Sequence, residues 1–124
     1  MQKILIVDDE EEIIELVSFI LKREGYSVLE ASSMTLAMNI IHREIPDLII
    51  LDLMLASHED GFEMCRALKC DDRYKNIPIV ILSAIAFSEY ELVRKIMDIQ
   101  DYIIKPFNND DFVNRIKNVL KERT

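Results

Sequence analysis

The stretch LIILDLML, residues 48–55, sets a single carboxylate, Asp52, inside an otherwise unbroken apolar run. An ionised carboxylate taken out of water without a partner is costly, and its pKa would rise until it neutralised. Apolar residues at every position are what a central parallel strand needs when helices cover both its faces. The strand here is read over DLIIL at 47–51; KILIV at 3–7 and IPIVIL at 77–82 read the same way, while YSVLEA at 26–31 and DYII at 101–104 read as flanking strands.

Helical patterns separate these strands. Residues 11–23 carry Ile13, Ile14, Leu16, Val17, Ile20 and Leu21 on one stripe, and Gly25 follows as a C′ residue. A second helix is expected over 35–43, stopped by Pro46, and a third over 59–69 with Asp60 as N-cap. A fourth is expected over 89–97 and a fifth over 108–122. The fifth carries Phe112, Val113, Ile116, Val119 and Leu120 on one stripe, with Asn108 or Asn109 as its cap. Strict β/α alternation over 124 residues implies one α/β domain, 1–124, with a doubly wound parallel sheet and helices on both faces. Five strands fit the order 2-1-3-4-5, and ligands of such sheets bind outside the carboxyl ends of the strands.

Those ends carry Asp8 and Asp9 (first strand), Asp52 (third), Ser83 (fourth) and Lys105 (fifth). Two like charges 4 Å apart repel by about 4 kcal/mol at an effective dielectric near 20, so clustered carboxylates need a cation. An all-oxygen set with open positions suits Mg²⁺, and Lys105 adds positive charge beside Asp52. Taken singly these residues are ordinary: an acid at a strand end commonly caps a helix, and DDEEE at 8–12 favours the positive end of the first helix. Together, at four strand ends, they mark a site.

Composition narrows the partners. A formal net charge of −8, from 15 Lys+Arg and 23 Asp+Glu, argues against direct nucleic-acid binding. Cys65 and Cys70 lie five apart in an expected helix and point about 140° away from each other, so they are not expected to bridge, which fits a reducing compartment. MQKILIVDD lacks a secretory layout, and no apolar run reaches a membrane-spanning length. A soluble cytoplasmic protein without membrane contact is expected.

The segments ILIVDDEEEI, PDLIILDLML, DGFEMCRALK, IPIVILSA and DYIIKPF, in this order and spacing, resemble the receiver domain of two-component response regulators, from Met1 to about Leu120. The resemblance implies a flavodoxin-like fold and a phosphoprotein of signal transduction. Asp52 is then the phosphoacceptor, taking a phosphoryl group from a sensor histidine kinase or a histidine phosphotransfer protein. Asp9 is the direct ligand of Mg²⁺ (Mn²⁺ as the substitute ion), Asp8 acts mainly through water, and Met54 contributes its backbone carbonyl. Lys105 holds a phosphoryl oxygen, and the Lys105-Pro106 bond is expected cis. Ser83 is the switch hydroxyl and Tyr102 its coupled aromatic, acting on the face built from the fourth helix, fifth strand and fifth helix. That face would serve a protein effector or an appended output domain, with the chain a monomer or a phosphorylation-dependent dimer. Kinase docking falls to the first helix and the loop after Lys105, including Ile14 and Phe107.

The chain also departs from the family. LMLASHED, between Asp52 and Gly61, is one residue longer than usual and lacks the usual proline, at Ala56, so the loop 56–60 takes its own path. Asp98 replaces a common glycine, at a position where an aspartate tolerates the left-handed region. Met54 and Ile85 flank the line of water attack and are apolar, implying slow autodephosphorylation. One subfamily dimerises through ion pairs on the switch face. Asp101 and Arg115 match that set, but Glu91 faces the acid Asp111, and Gln100 and Asn118 are uncharged. A flavin module would need a glycine- and hydroxyl-rich loop where DDEEE stands. A metal-dependent phosphohydrolase with an Asp nucleophile is the nearest rival, but Met54 stands where such an enzyme carries a second acid. The chain is therefore read as a phosphoacceptor and not as an enzyme of metabolism.

Overall fold

A computed structural model describes residues 1–53, 61–84 and 98–121. Five strands, β1 (Lys3–Val7), β2 (Ser27–Ala31), β3 (Leu48–Leu51), β4 (Ile79–Ser83) and β5 (Asp101–Ile104), form one sheet in the order β2-β1-β3-β4-β5. Every pairing is parallel, as the near-continuous apolar strands require. The helices are α1 (Glu11–Arg23), α2 (Met34–Arg43), α3 (Gly61–Lys69) and α4 (Asn109–Lys121). The helix expected over 89–97 lies outside the described residues, so α4 is the helix the sequence places fifth.

Strand periodicity divides the core into two layers. Leu5, Val7, Ile49, Leu51, Ile79 and Ile81 face Ala37 and Ile41 of α2 and Met64, Cys65 and Leu68 of α3. Their neighbours Ile4, Ile6, Leu48, Ile50, Val80 and Leu82 face the other way, onto Val17 and Leu21 of α1 and Phe112 and Ile116 of α4. Successive side chains of a strand point to opposite faces, so an unbroken apolar run supplies both layers at once. Ile14, expected on a docking surface, is buried in the second layer, and Leu16 and Phe19 take the exposed side of α1.

Local chemistry sets the element ends. The N–H of Gly25 bonds the carbonyl of Lys22 and the N–H of Tyr26 that of Leu21, both at 3.1 Å, with Gly25 at φ +91°. This is the Schellman arrangement, in which glycine takes the left-handed position without a Cβ penalty. It uses the Tyr26 N–H, so β2 begins at Ser27 and not at 26. β4 begins at Ile79 because Pro78 has no N–H to give the ladder, though its carbonyl accepts from Ile49 at 3.0 Å. The Gln100 side chain accepts from the Ile79 N–H at 2.7 Å, closing that strand start. Asn108 caps α4, its side chain accepting from the Asp111 N–H at 2.9 Å. Asp98 sits at φ +54°, as its replacement of glycine predicts. Cys65 is buried and Cys70 exposed, both as free thiols. Among the described residues no helix is long and apolar enough to cross a membrane.

Candidate functional site

The two central acids are held by the sheet itself. Asp8 follows β1 directly, and its N–H donates to the carbonyl of Ala31 at 3.1 Å. Asp52 follows β3, and its N–H donates to the carbonyl of Val7 at 3.0 Å. Ladder bonding thus continues one residue beyond the strands and delivers both carboxylates to the same rim at the β1/β3 switch point. Both residues are almost closed to solvent, at 2 % and 4 % exposure.

Their shared partner comes from the far edge of the sheet. The Lys105 N–H donates to the Ser83 carbonyl at 2.9 Å, which continues the β4–β5 pairing and fixes where the lysine side chain starts. The Lys105 ammonium then donates to Asp8 Oδ2 at 2.8 Å, Glu10 Oε1 at 3.0 Å and Asp52 Oδ2 at 3.1 Å. The Lys105-Pro106 peptide is cis. Burial alone would push the ammonium's pKa down. The hydrogen bonds to Asp8, Glu10 and Asp52 outweigh it and hold Lys105 above its ordinary range. Asp8 behaves differently. Burial raises its carboxyl above the usual value, against the lowering effect of Lys105 and of the Glu10 N–H that it accepts at 2.9 Å. One lysine satisfies three carboxylates only in part.

Carboxylate oxygens of Asp8, Glu10 and Asp52 lie within 4.8 Å of one another. This donor set fits a hard divalent cation that takes oxygen ligands and keeps some of its waters. Asp9, expected as the direct ligand, is exposed and borders a shallow groove with Glu15 and Glu30. Glu10 occupies the third place in the converging set. In the sequence Glu10 is one more acid of the DDEEE run at the start of the first helix. The missed signal is its N-cap position (φ −89°, ψ 107°), which leaves it off the helix and able to turn back over the strand ends. Met54, the loop 56–60, Ile85 and Glu91 lie outside the described residues.

The expected switch pair is in contact. Ser83 ends β4 fully buried, Tyr102 on β5 is 2 % exposed, and their side chains share a hydrogen bond. Burial raises the Tyr102 phenol pKa, opposed by Ser83 and assisted by the charge on Asp52. On the same face Arg115 bonds Asp101 Oδ1 at 3.1 Å, the Tyr102 carbonyl at 3.3 Å and Asp111 Oδ2 at 3.0 Å. Arg115 therefore pairs within its own chain with Asp101 and Asp111, two of the acids named in the dimer comparison. Phe107, in the proposed kinase-docking loop, packs on Phe112 with ring centroids 4.9 Å apart.

Gly61 brings α3 against the site's floor. A Cβ there would lie 2.5 Å from the Asp52 carbonyl oxygen and 2.6 Å from Leu53 Cα, and the Gly61 N–H donates to the Leu53 carbonyl at 3.0 Å. Only a residue without a side chain permits that approach.

Fold and site together define a doubly wound α/β domain with an acidic pocket at its switch point, crossed by one lysine. The family described as response regulator receiver domain matches residues 4–117, and the chain belongs to it. It is accordingly a receiver domain of two-component signalling.

The phosphate regulon transcriptional regulatory protein PhoB of Pseudomonas aeruginosa is 40 % identical over 118 residues, covering 95 % of this chain and 51 % of that protein. The probable transcriptional regulator ycf27 of Guillardia theta is 34 % identical over 120 residues, covering 97 % and 46 %. The chain thus spans about half the length of these curated relatives. Among solved structures, a two-component response regulator from Clostridium difficile superposes with a TM-score of 0.89 at 27 % identity, covering 100 % of this chain and 99 % of that one. The chemotaxis protein CheY4 of Vibrio cholerae gives 0.86 at 29 % identity, covering 96 % and 98 %.

Proposed function

We propose that Asp52 accepts a phosphoryl group from a phosphohistidine on a sensor kinase or phosphotransfer protein, and that the resulting acyl phosphate switches the domain's partner-binding face. The observation that carries this reading is the Lys105 ammonium joining Asp8 to Asp52 across the switch point. An Asp52 carboxylate oxygen attacks phosphorus, the P–N bond breaks, and the imidazole leaves with its electron pair and takes a proton from solvent. Such loose phosphoryl transfer depends on positioning and on neutralising charge more than on covalent assistance.

Lys105 supplies part of that neutralisation. Asp8, Asp9 and Asp52, with the Met54 carbonyl, would hold Mg²⁺ or Mn²⁺. The bound ion supplies charge neutralisation and orientation of the phosphoryl oxygens. Ser83 bonds the new phosphoryl group, and Tyr102, already hydrogen-bonded to Ser83, passes that movement to the surface around β5 and α4. A protein effector or an output domain reads that surface. Placement in the cytoplasm agrees with a kinase-fed phosphoacceptor.

Incubation with acetyl phosphate, with and without Mg²⁺, followed by intact mass tests the reading. A metal-dependent gain of one phosphoryl group, lost in Asp52→Ala, is the expected result. Phosphate released beyond one equivalent per chain at a rapid rate would instead make it a phosphohydrolase.

A further inference from the structure

Glu10 has a place in the pocket that the phosphoacceptor reading leaves unused. An ammonium has three N–H donors and no acceptor. Lys105 gives one each to Asp8, Glu10 and Asp52, so the lysine meant to receive an incoming phosphoryl oxygen has no donor left for it. One carboxylate must let go before the group arrives, and until the bond to phosphorus forms Asp52 keeps its full charge.

The three carboxylates differ in what release would cost. The side chains of Asp8 and Asp52 are 2 % and 5 % exposed and would lose a charge partner without regaining water. Glu10 is 57 % exposed and passes straight into solvent. It also ends outside the ladder bonding that pins the other two acids, on the N-cap of α1.

We propose that Glu10 is a displaceable latch on Lys105: it occupies the ammonium's third donor in the resting domain and yields it to the phosphoryl group, setting how fast the pocket opens to a phosphodonor. Glu10 is on this account a positioning residue acting through Lys105, and the proposal rests on Asp52 being the phosphoacceptor. Its negative charge also repels an incoming phosphoryl dianion, so both effects slow the resting domain in the same direction.

The test compares wild-type chain with Glu10→Gln, reading phosphorylation by acetyl phosphate at saturating Mg²⁺ as an intact-mass time course. An exposed ion pair of this kind is worth little, so Glu10→Gln is expected to react about two- to fivefold faster. Because salt screens exposed charges, that ratio should shrink towards one between about 0.05 M and 0.5 M salt. An equal or slower rate, or a ratio indifferent to salt, overturns the latch. A Mg²⁺ affinity weakened tenfold or more, measured by calorimetry, also overturns it and makes Glu10 a metal ligand. A wild-type chain that gains no phosphoryl group under any condition defeats the phosphoacceptor reading instead, so the two failures are distinct.

Discussion

The Lys105 ammonium and the Asp8 carboxylate meet at 2.8 Å with both side chains nearly closed to solvent, although they come from opposite halves of the sheet. Removing the lysine would leave two buried acids facing each other without a counter-charge. Breaking a buried pair in this way typically costs about 3–5 kcal/mol. Lys105→Met is expected to lower stability by that order in urea unfolding without metal, with much of the loss restored by millimolar Mg²⁺. A neutral effect in metal-free buffer would show that the lysine does not hold the pocket together.

Asp8 carries the opposite expectation. Its carboxyl pKa is raised by burial in the folded chain, so the folded state holds its proton more tightly than the unfolded state does. Stability on this account is present below the unfolded value near 3.8 and is lost as pH rises through the folded one. Asp8→Asn is therefore expected to be more stable than wild type at neutral pH, with the advantage vanishing as pH falls below the unfolded value. The variant should also lose the wild type's Mg²⁺-induced rise in Tm. An Asp8→Asn protein less stable than wild type at pH 7 contradicts the argument.

Gly61 tests the floor of the site. A methyl group there must move backbone atoms of Asp52 and Leu53 and not a flexible side-chain end. Gly61→Ala is expected to destabilise by about 1–3 kcal/mol, the usual range for overpacking, and to slow acetyl phosphate labelling of Asp52. Unchanged labelling in a destabilised variant would separate the helix contact from the chemistry.

Phosphoryl lifetime follows from residues read in the sequence. Met54 and Ile85, expected from the family resemblance to flank the line of water attack, are apolar residue types with no group to orient a water. The phosphorylated chain, freed of donor, is expected to decay over minutes or longer, and Met54→Asn to decay faster. Loss of the phosphoryl group within seconds in the wild type would refute this.

Much of the architecture could be read before any coordinates. The bounds of β1, β5 and α1 match because each is signalled twice, by its periodicity and by the residues that end it: Asp8 after β1, Lys105-Pro106 after β5 and Gly25 after α1. The starts of β2 and β4 were less legible. Apolar residues at 26 and 77 satisfy the strand pattern, but the Tyr26 N–H belongs to a helix end and Pro78 has no N–H at all. Composition reports which side chains suit a strand and says nothing of which backbone donors are already engaged.

The site divides in the same manner. Asp8, Asp52, Ser83 and Lys105 sit at strand ends, where topology alone brings them together. Glu10 was invisible because its place depends on how α1 begins, a matter of two dihedral angles. Ile14 is covered and Leu16 is not because a helix stripe has edges, and its position relative to the sheet decides which residues are buried.

The N–H groups of Asp8 and Asp52 remain bonded to neighbouring strands, so the gap between these acids is inherited from the spacing of adjacent strands, about 4.8 Å. The polypeptide works here as a ruler. Whatever surface residues drift over time, the width of this acidic jaw is set by a dimension common to every sheet, and only the lysine and the loose glutamate are left to adjust it.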